Sequence, residues 1–199
     1  MPSCWRPSQG ARSNHTNPAT GGQKAPDRES LGRSRGGLST KIHLAADGRC
    51  RPLARVTTAG QRNDAIAFEA VMADLRIDRV GPGRPRTRPD RLLADKAYSS
   101  RAIRAQLRRR GITVTIPQPS DQVGHRRRRG SRGGRPPAFD AEAYKDRNVV
   151  ERAINKLRGT RAVATRYDKR DHIYLGTIDV ASIMIWLRDP PRSHSRDTP

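Results

Sequence analysis

No apolar run in the 199-residue chain approaches the ~18–20 residues that a bilayer-spanning helix needs. The first twenty residues, MPSCWRPSQGARSNHTNPAT, hold no apolar stretch of the secretory-signal type. Both absences argue against membrane integration and export and point to the cytoplasm. Cysteine is nearly missing. Cys4 and Cys50 are the two present, too few for a disulfide framework or a four-thiolate zinc site. Aromatic residues make up 4% and the hydrophobic class 33%, below the roughly 45–50% usual for globular domains by a count that includes Gly and omits Tyr, so part of the chain is expected to lack a packed core. There is no Gly-x-x-x-x-Gly-Lys-Ser/Thr loop, so nothing indicates ATP use.

Acid is also scarce. Asp and Glu total 19 against 41 Lys and Arg, a formal net charge of +22. Lysine accounts for only six of the basic residues, leaving 35 arginines. Arginine is always charged and grips phosphate with two parallel donors. A chain so charged gains free energy by displacing phosphate counterions, which makes nucleic acid the expected partner. The bland alternative is codon bias in a GC-rich genome. An RNA-binding basic protein is a further alternative, although the usual signatures of the common RNA-binding modules are absent.

Residues 1–36, rich in Ser, Pro, Gly, Asn, Gln and Arg, show neither strand nor helix periodicity and are expected to be disordered or a truncated remnant. Leu38 to Ala45 alternates apolar and polar, Asp47-Gly48 is a tight-turn pair, and Pro52 to Thr58 reads as the returning strand of a hairpin. Asn63 or Asp64 caps a helix carrying Ile66, Phe68, Val71, Met72 and Leu75. Arg91 to Ala94 is a short buried strand ending at Asp95. Ser99 or Ser100 caps the next helix, Gly111 closes it, and Ile112 to Pro117 is a β-branched strand. Residues 118–137 read as a basic loop. A single helix is expected from about Asp140 to Arg158, and a C-terminal one over Ile173 to Leu187, with Ile185 and Trp186 in the core. The tail 189–199 is expected to be disordered.

Two acids stand out by position. Asp95 closes a buried strand beside a helix start, where a carboxylate can hold a hard cation such as magnesium. A solvent-facing turn residue paired with Lys96 is the other reading. Along the expected helix, Tyr144, Arg147, Glu151 and Arg158 are spaced by three, four and seven, all same-face separations. A metal-holding carboxylate flanked by cations suits phosphoryl transfer. A solvated face with an Arg147–Glu151 pair explains the spacing equally. His43 reads as a structural strand histidine, His125 as part of a phosphate-contacting loop, and Cys50 as inert. The basic run Arg126, Arg127, Arg128 and Arg129 reads as a DNA-contacting loop, with a localisation-type signal as the alternative.

The segments GRSRGGLSTKIHLAADGRCRPL, RLLADKAYSSRAIRAQLRRRGI, GGRPPAFDAEAYKDRNVVERAINKLR and ATRYDKR occur in this order. They resemble the C-terminal catalytic part of bacterial insertion-sequence transposases of the DDE class, in the insertion sequence 5-like group of the insertion sequence 4 superfamily. The resemblance implies an RNase H-like α/β fold, a mixed sheet flanked by helices, and two Asp and one Glu that bind two divalent ions, Mg²⁺ or Mn²⁺. By that resemblance Asp95 matches the second acid and Glu151 the third, both metal ligands. Tyr144, Arg147 and Glu151 match the family pattern Tyr-x-x-Arg-x-x-x-Glu-x-x-x-x-x-x-Lys. Arg158 replaces its final lysine, which keeps the charge and alters the hydrogen-bond geometry. Lys156 joins Arg126 to Arg129 as a candidate DNA contact.

The family's first acid lies on a first strand upstream of the hairpin, and nothing in residues 1–37 resembles it. Asp27 sits without strand character, Asp47 in a turn and Asp64 at a helix cap. The first strand, its acid and the family's N-terminal DNA-binding region are therefore expected to be missing. The chain resembles the downstream product of a frameshifted gene, or a degraded copy. The domain is expected over 37–188. The expected function is metal-dependent DNA cleavage and strand transfer in DNA transposition by the intact family, with this chain inactive alone. A non-catalytic DNA-binding remnant is the alternative. Expected partners are insertion-sequence ends and target DNA, an upstream reading-frame product and further copies of the chain, on the nucleoid.

Overall fold

The computed structural model describes residues 3–7, 11–12, 29–79 and 81–189. Among the described residues seven strands form one sheet: β1 (Ser3–Pro7), β2 (Ala11–Arg12), β3 (Gly32–Ser34), β4 (Gly37–Ala46), β5 (Pro52–Ala59), β6 (Arg91–Ala94) and β7 (Thr113–Thr115). The path β5-β4-β1-β6-β7 is its backbone, and β2 and β3 are short additions along β4. β4 runs antiparallel to β1 and β5, whereas β1, β6 and β7 are mutually parallel. In chain order these principal strands lie third, second, first, fourth, fifth. The fold is the expected RNase H-like α/β arrangement.

The hairpin forms as the sequence predicts. Its strands alternate, and Thr40 to Ala46 pair with Ala59 to Pro52. Alternation also sorts its side chains between two faces. Ile42, Leu44 and Ala46 join Leu93 of β6 in one apolar cluster. That face is covered by α5 (Asn148–Arg158), α6 (Arg161–Thr165) and α7 (Asp171–Arg188), through Val149, Val150, Ala153, Leu157, Val163, Tyr174 and Ile178. The opposite face carries Ala45, Leu92 and Ala94. It is covered by α1 (Ala67–Asp74) and α2 (Arg101–Arg109), through Phe68, Val71, Met72, Ile103 and Leu107. Among the described residues no helix is long and apolar enough to cross a membrane.

Four expectations change. A strand does occupy the place of the first strand: β1 lies between β4 and β6, in the middle of the sheet. Its Ser-Cys-Trp-Arg-Pro sequence is too short to show an alternating pattern, and the ladder partners on both sides hold it. Residues 118–137 are not one loop. Ser120–Arg128 forms α3 and Gly130–Gly133 a 3₁₀ turn. No residue of α3 is buried, so there was no apolar periodicity to reveal it, while arginine itself favours helix. The single helix expected from Asp140 to Arg158 is two, α4 (Ala141–Lys145) and α5. Around the break the backbone bonds tighten to i→i−3, with Asp146 N–H donating to Ala143, Arg147 to Tyr144 and Val150 to Arg147. Trp186 is half-buried rather than in the core, its Nε1 donating to the Pro52 carbonyl at 2.7 Å with the Arg51 guanidinium 4.1 Å above its ring. Asp27, residues 13–28 and the tail beyond Asp189 lie outside the described residues.

Candidate active site

Asp95 follows the last residue of β6 in extended conformation and caps a 3₁₀ turn, its Oδ1 accepting from the Lys96 N–H at 2.7 Å. It stands two residues after Leu93, so alternation turns it toward the α5 face. Glu151 lies in the first turn of α5, a position favoured for an anion by the helix dipole. Arg147, at the N-cap of the same helix, joins the two. Its Nη2 donates to Glu151 Oε1 at 2.9 Å, and its Nη1 lies 3.8 Å from Asp95 Oδ1. Both carboxylates therefore share one guanidinium, and all three side chains keep partial access to water.

Tyr144 completes the cluster from α4. The Arg147 guanidinium lies 5.5 Å from its ring centre, and Phe139 packs on the ring at 5.2 Å. The tight connection between the two helices keeps Tyr144, Arg147 and Glu151 adjacent although the helix is broken. α4 is anchored by Asp140, which accepts from the Ala143 N–H and pairs with Arg91 at the start of β6. The Ala143 bond, and next the Arg91 charge, hold the Asp140 carboxyl below the usual carboxylate range. Arg158 lies two turns beyond Glu151, and its charge reaches the Tyr174 hydroxyl.

The other acids named from sequence stand elsewhere. Asp47 is buried at the hairpin turn. It accepts from the Arg49 and Arg51 N–H groups and from Arg51 Nε at 2.7 Å. By register it continues β4 at the level of Leu92, three rungs from Asp95 and two strands away. Asp64 accepts from Lys41 Nζ at 2.9 Å. Lys41 and His43 alternate with Ile42 and Leu44, so this group sits on the α1 face, across the sheet from Asp95. His43 is buried against the Thr58 hydroxyl at 2.7 Å, and burial pushes its pKa down to about 4.

On β1, Trp5 pairs with Ala94, the residue before Asp95, and Arg6 is the next residue of the strand. A strand thus occupies the first-strand place, and its five residues, Ser3–Pro7, include no acid. Among the described residues no group of three or more His, Cys, Asp or Glu side chains could hold a metal ion. The donor set nonetheless fits one hard cation, since magnesium takes one or two carboxylates and completes its shell with water and phosphate oxygens. A second ion about 3.5–4 Å away would need a further carboxylate.

The basic candidates separate. Lys156 reaches back to the Arg49 carbonyl at 3.4 Å. Arg126 and Arg129 face a groove between α3 and α2, lined also by Arg101, Arg104 and Arg108, which the sequence reading missed. Their spacing of three and four residues along α2 was the available sign. Arg128 turns to His125, Nη2 to Nδ1 at 2.9 Å.

Comparison with known proteins assigns a family. A putative transposase for insertion sequence element IS6501 from Brucella ovis is 27% identical over 151 residues, which cover 76% of this chain and all of the relative. The sequence model of the transposase DDE domain matches residues 12–183. Most of the chain, with both acids and the cations around them, falls inside that match, and the protein belongs to the DDE-domain transposase family.

Proposed function

We propose that the chain is a DNA-binding transposase catalytic domain that holds two of the three acids of metal-dependent strand cleavage and transfer, and does not cut DNA alone. The observation that carries this is the convergence of Asp95 and Glu151 on the single guanidinium of Arg147, beside a first strand that carries Arg6 and no acid. Asp95 and Glu151 are the residues that would hold Mg²⁺ or Mn²⁺, and such an ion polarises a scissile phosphate and activates the attacking oxygen when bound. Arg147 balances the two carboxylates and keeps them together. Tyr144 holds the Arg147 plane in place and offers a hydroxyl beside it. Arg158 adds positive charge two turns farther along α5, a place to steady a DNA phosphate. In the intact family this set serves DNA-mediated transposition, with insertion-sequence ends and target DNA as substrates on the nucleoid.

The test is a mobility-shift assay run beside a nicking assay, with duplex DNA and either Mg²⁺ or Mn²⁺. The expected result is a shift that weakens steeply as salt rises, with no nicked product. Asp95→Asn and Glu151→Gln should leave the shift in place. A chain that shifts no DNA at low salt would defeat the reading.

A further inference from the structure

The groove between α2 and α3 holds about 730 Å³, and among the described residues no acidic side chain lines it. Its floor is tied together through one Arg104 nitrogen, while Arg104 Nε is buried without a partner. Arg104 Nη2 donates to Ser99 Oγ and to the Ile116 carbonyl, each at 2.8 Å, and Ser99 Oγ donates to Gln122 Oε1 at 3.0 Å. This clasp fixes α3 against α2. Gly133 fixes the far wall, since a Cβ there would come within 2.2 Å of the Arg126 carbonyl, so the 3₁₀ turn can close on α3 only with glycine. The walls are different in kind. Arg101 and Arg108 on one side, and Arg129, Arg132 and Arg135 on the other, are exposed and turned to the same space.

Guanidiniums held on a rigid frame around a cleft without counter-charge form a seat for a polyanion. The groove also has a fixed relation to the acid pair. Ser99 follows Asp95 by one 3₁₀ turn, with Tyr98 N–H donating to the Asp95 carbonyl and Ser99 N–H to that of Lys96. The floor of the groove is thus an extension of the segment that presents Asp95.

We propose that this groove seats the phosphates of the DNA strand that runs past Asp95 and Glu151. The inference rests on the DNA-binding reading above and deepens it. DNA contact is made by Arg101, Arg108, Arg129, Arg132 and Arg135 around the groove rather than by the whole run from Arg126 to Arg129. Arg127 and Arg128 are outside the groove lining.

The experiment compares two double variants that remove equal charge, Arg101→Ala with Arg108→Ala, and Arg127→Ala with Arg128→Ala. Binding of a 20-base-pair duplex is followed by fluorescence anisotropy over a salt series. Each phosphate contact contributes roughly 0.9 to the slope of log affinity against log salt, so losing two lowers it by about two. The groove pair should show that drop and at least tenfold weaker binding, and the other pair should keep the wild-type slope. Equal losses in the two variants would overturn the groove as the seat while leaving DNA binding intact. Stronger binding of an RNA duplex than of DNA would overturn the choice of partner. A wild-type chain that binds no DNA would overturn the inference together with the reading beneath it.

Discussion

The Arg147 guanidinium donates to Glu151 at 2.9 Å across one turn of helix, and the same group lies 3.8 Å from Asp95 at the end of β6. A surface pair at this spacing contributes only a few tenths of a kcal/mol. Its larger consequence is electrostatic, because one cation offsets two carboxylates that would otherwise repel. Replacing Arg147 by Gln should therefore raise affinity for Mn²⁺ several-fold, while Asp95→Asn in the same background should abolish the gain. Electron paramagnetic titration of free Mn²⁺ measures both. An unchanged affinity in Arg147→Gln would show that the guanidinium does not compete with the ion.

Arg6 is the natural place to restore the site, because it follows Trp5, which pairs with the residue before Asp95. Arg6→Asp should raise Mn²⁺ affinity at least tenfold over wild type, and Glu151→Gln should reverse most of the rise. If Arg6→Asp binds no more tightly than wild type, the first-strand position does not belong to the site.

Arg166 should govern stability rather than chemistry. It is 2% exposed and its guanidinium donates to the Glu29 carbonyl at 2.7 Å, to Ser30 at 3.3 Å and to the Thr40 hydroxyl, with Asp171 at 3.8 Å and the Tyr174 ring at 4.8 Å. It ties the segment before β3, and β4 through Thr40, to the start of α7. Arg166→Ala leaves buried acceptors unpaired and should cost on the order of 3 kcal/mol in urea unfolding. Arg166→Lys should recover little of this, lacking the fork that reaches several oxygens at once. A loss below about 1 kcal/mol would show that the contacts are dispensable.

His43 makes stability depend on pH. Its pKa falls from the ordinary 6.5 to about 4 because burial penalises the charged ring. The unfolded chain takes up that proton at a higher pH than the folded one. Its contribution is therefore complete above about pH 6.5 and is lost as pH falls toward 4, by roughly 3 kcal/mol at most. Asp64 and Lys41, on the same face, act on the ring with opposite signs. His43→Gln should flatten this part of the pH profile. An identical profile would place the dependence on other groups.

The hairpin and the strand ending at Asp95 were legible because each has a local cause: alternation, Asp47-Gly48, and an apolar run stopped by an acid. The Tyr144-Arg147-Glu151 spacing was legible too, since same-face positions survive the tightening at Asp146. Three features were not. β1 is defined by its ladder partners rather than by its own five residues. α3 buries nothing, so no periodicity marks it. The contact from Arg147 to Asp95 joins residues 52 positions apart, a relation set by how α5 packs on the sheet.

This chain gathers two acids and a guanidinium at the site proposed to take three acids for cleavage. Incubating the purified 199-residue chain with supercoiled plasmid and Mn²⁺, beside Asp95→Asn, tests it most directly. No nicking above the level of the variant is expected, with plasmid binding unchanged. Mn²⁺-dependent nicking by the wild-type chain that Asp95→Asn removes would contradict it.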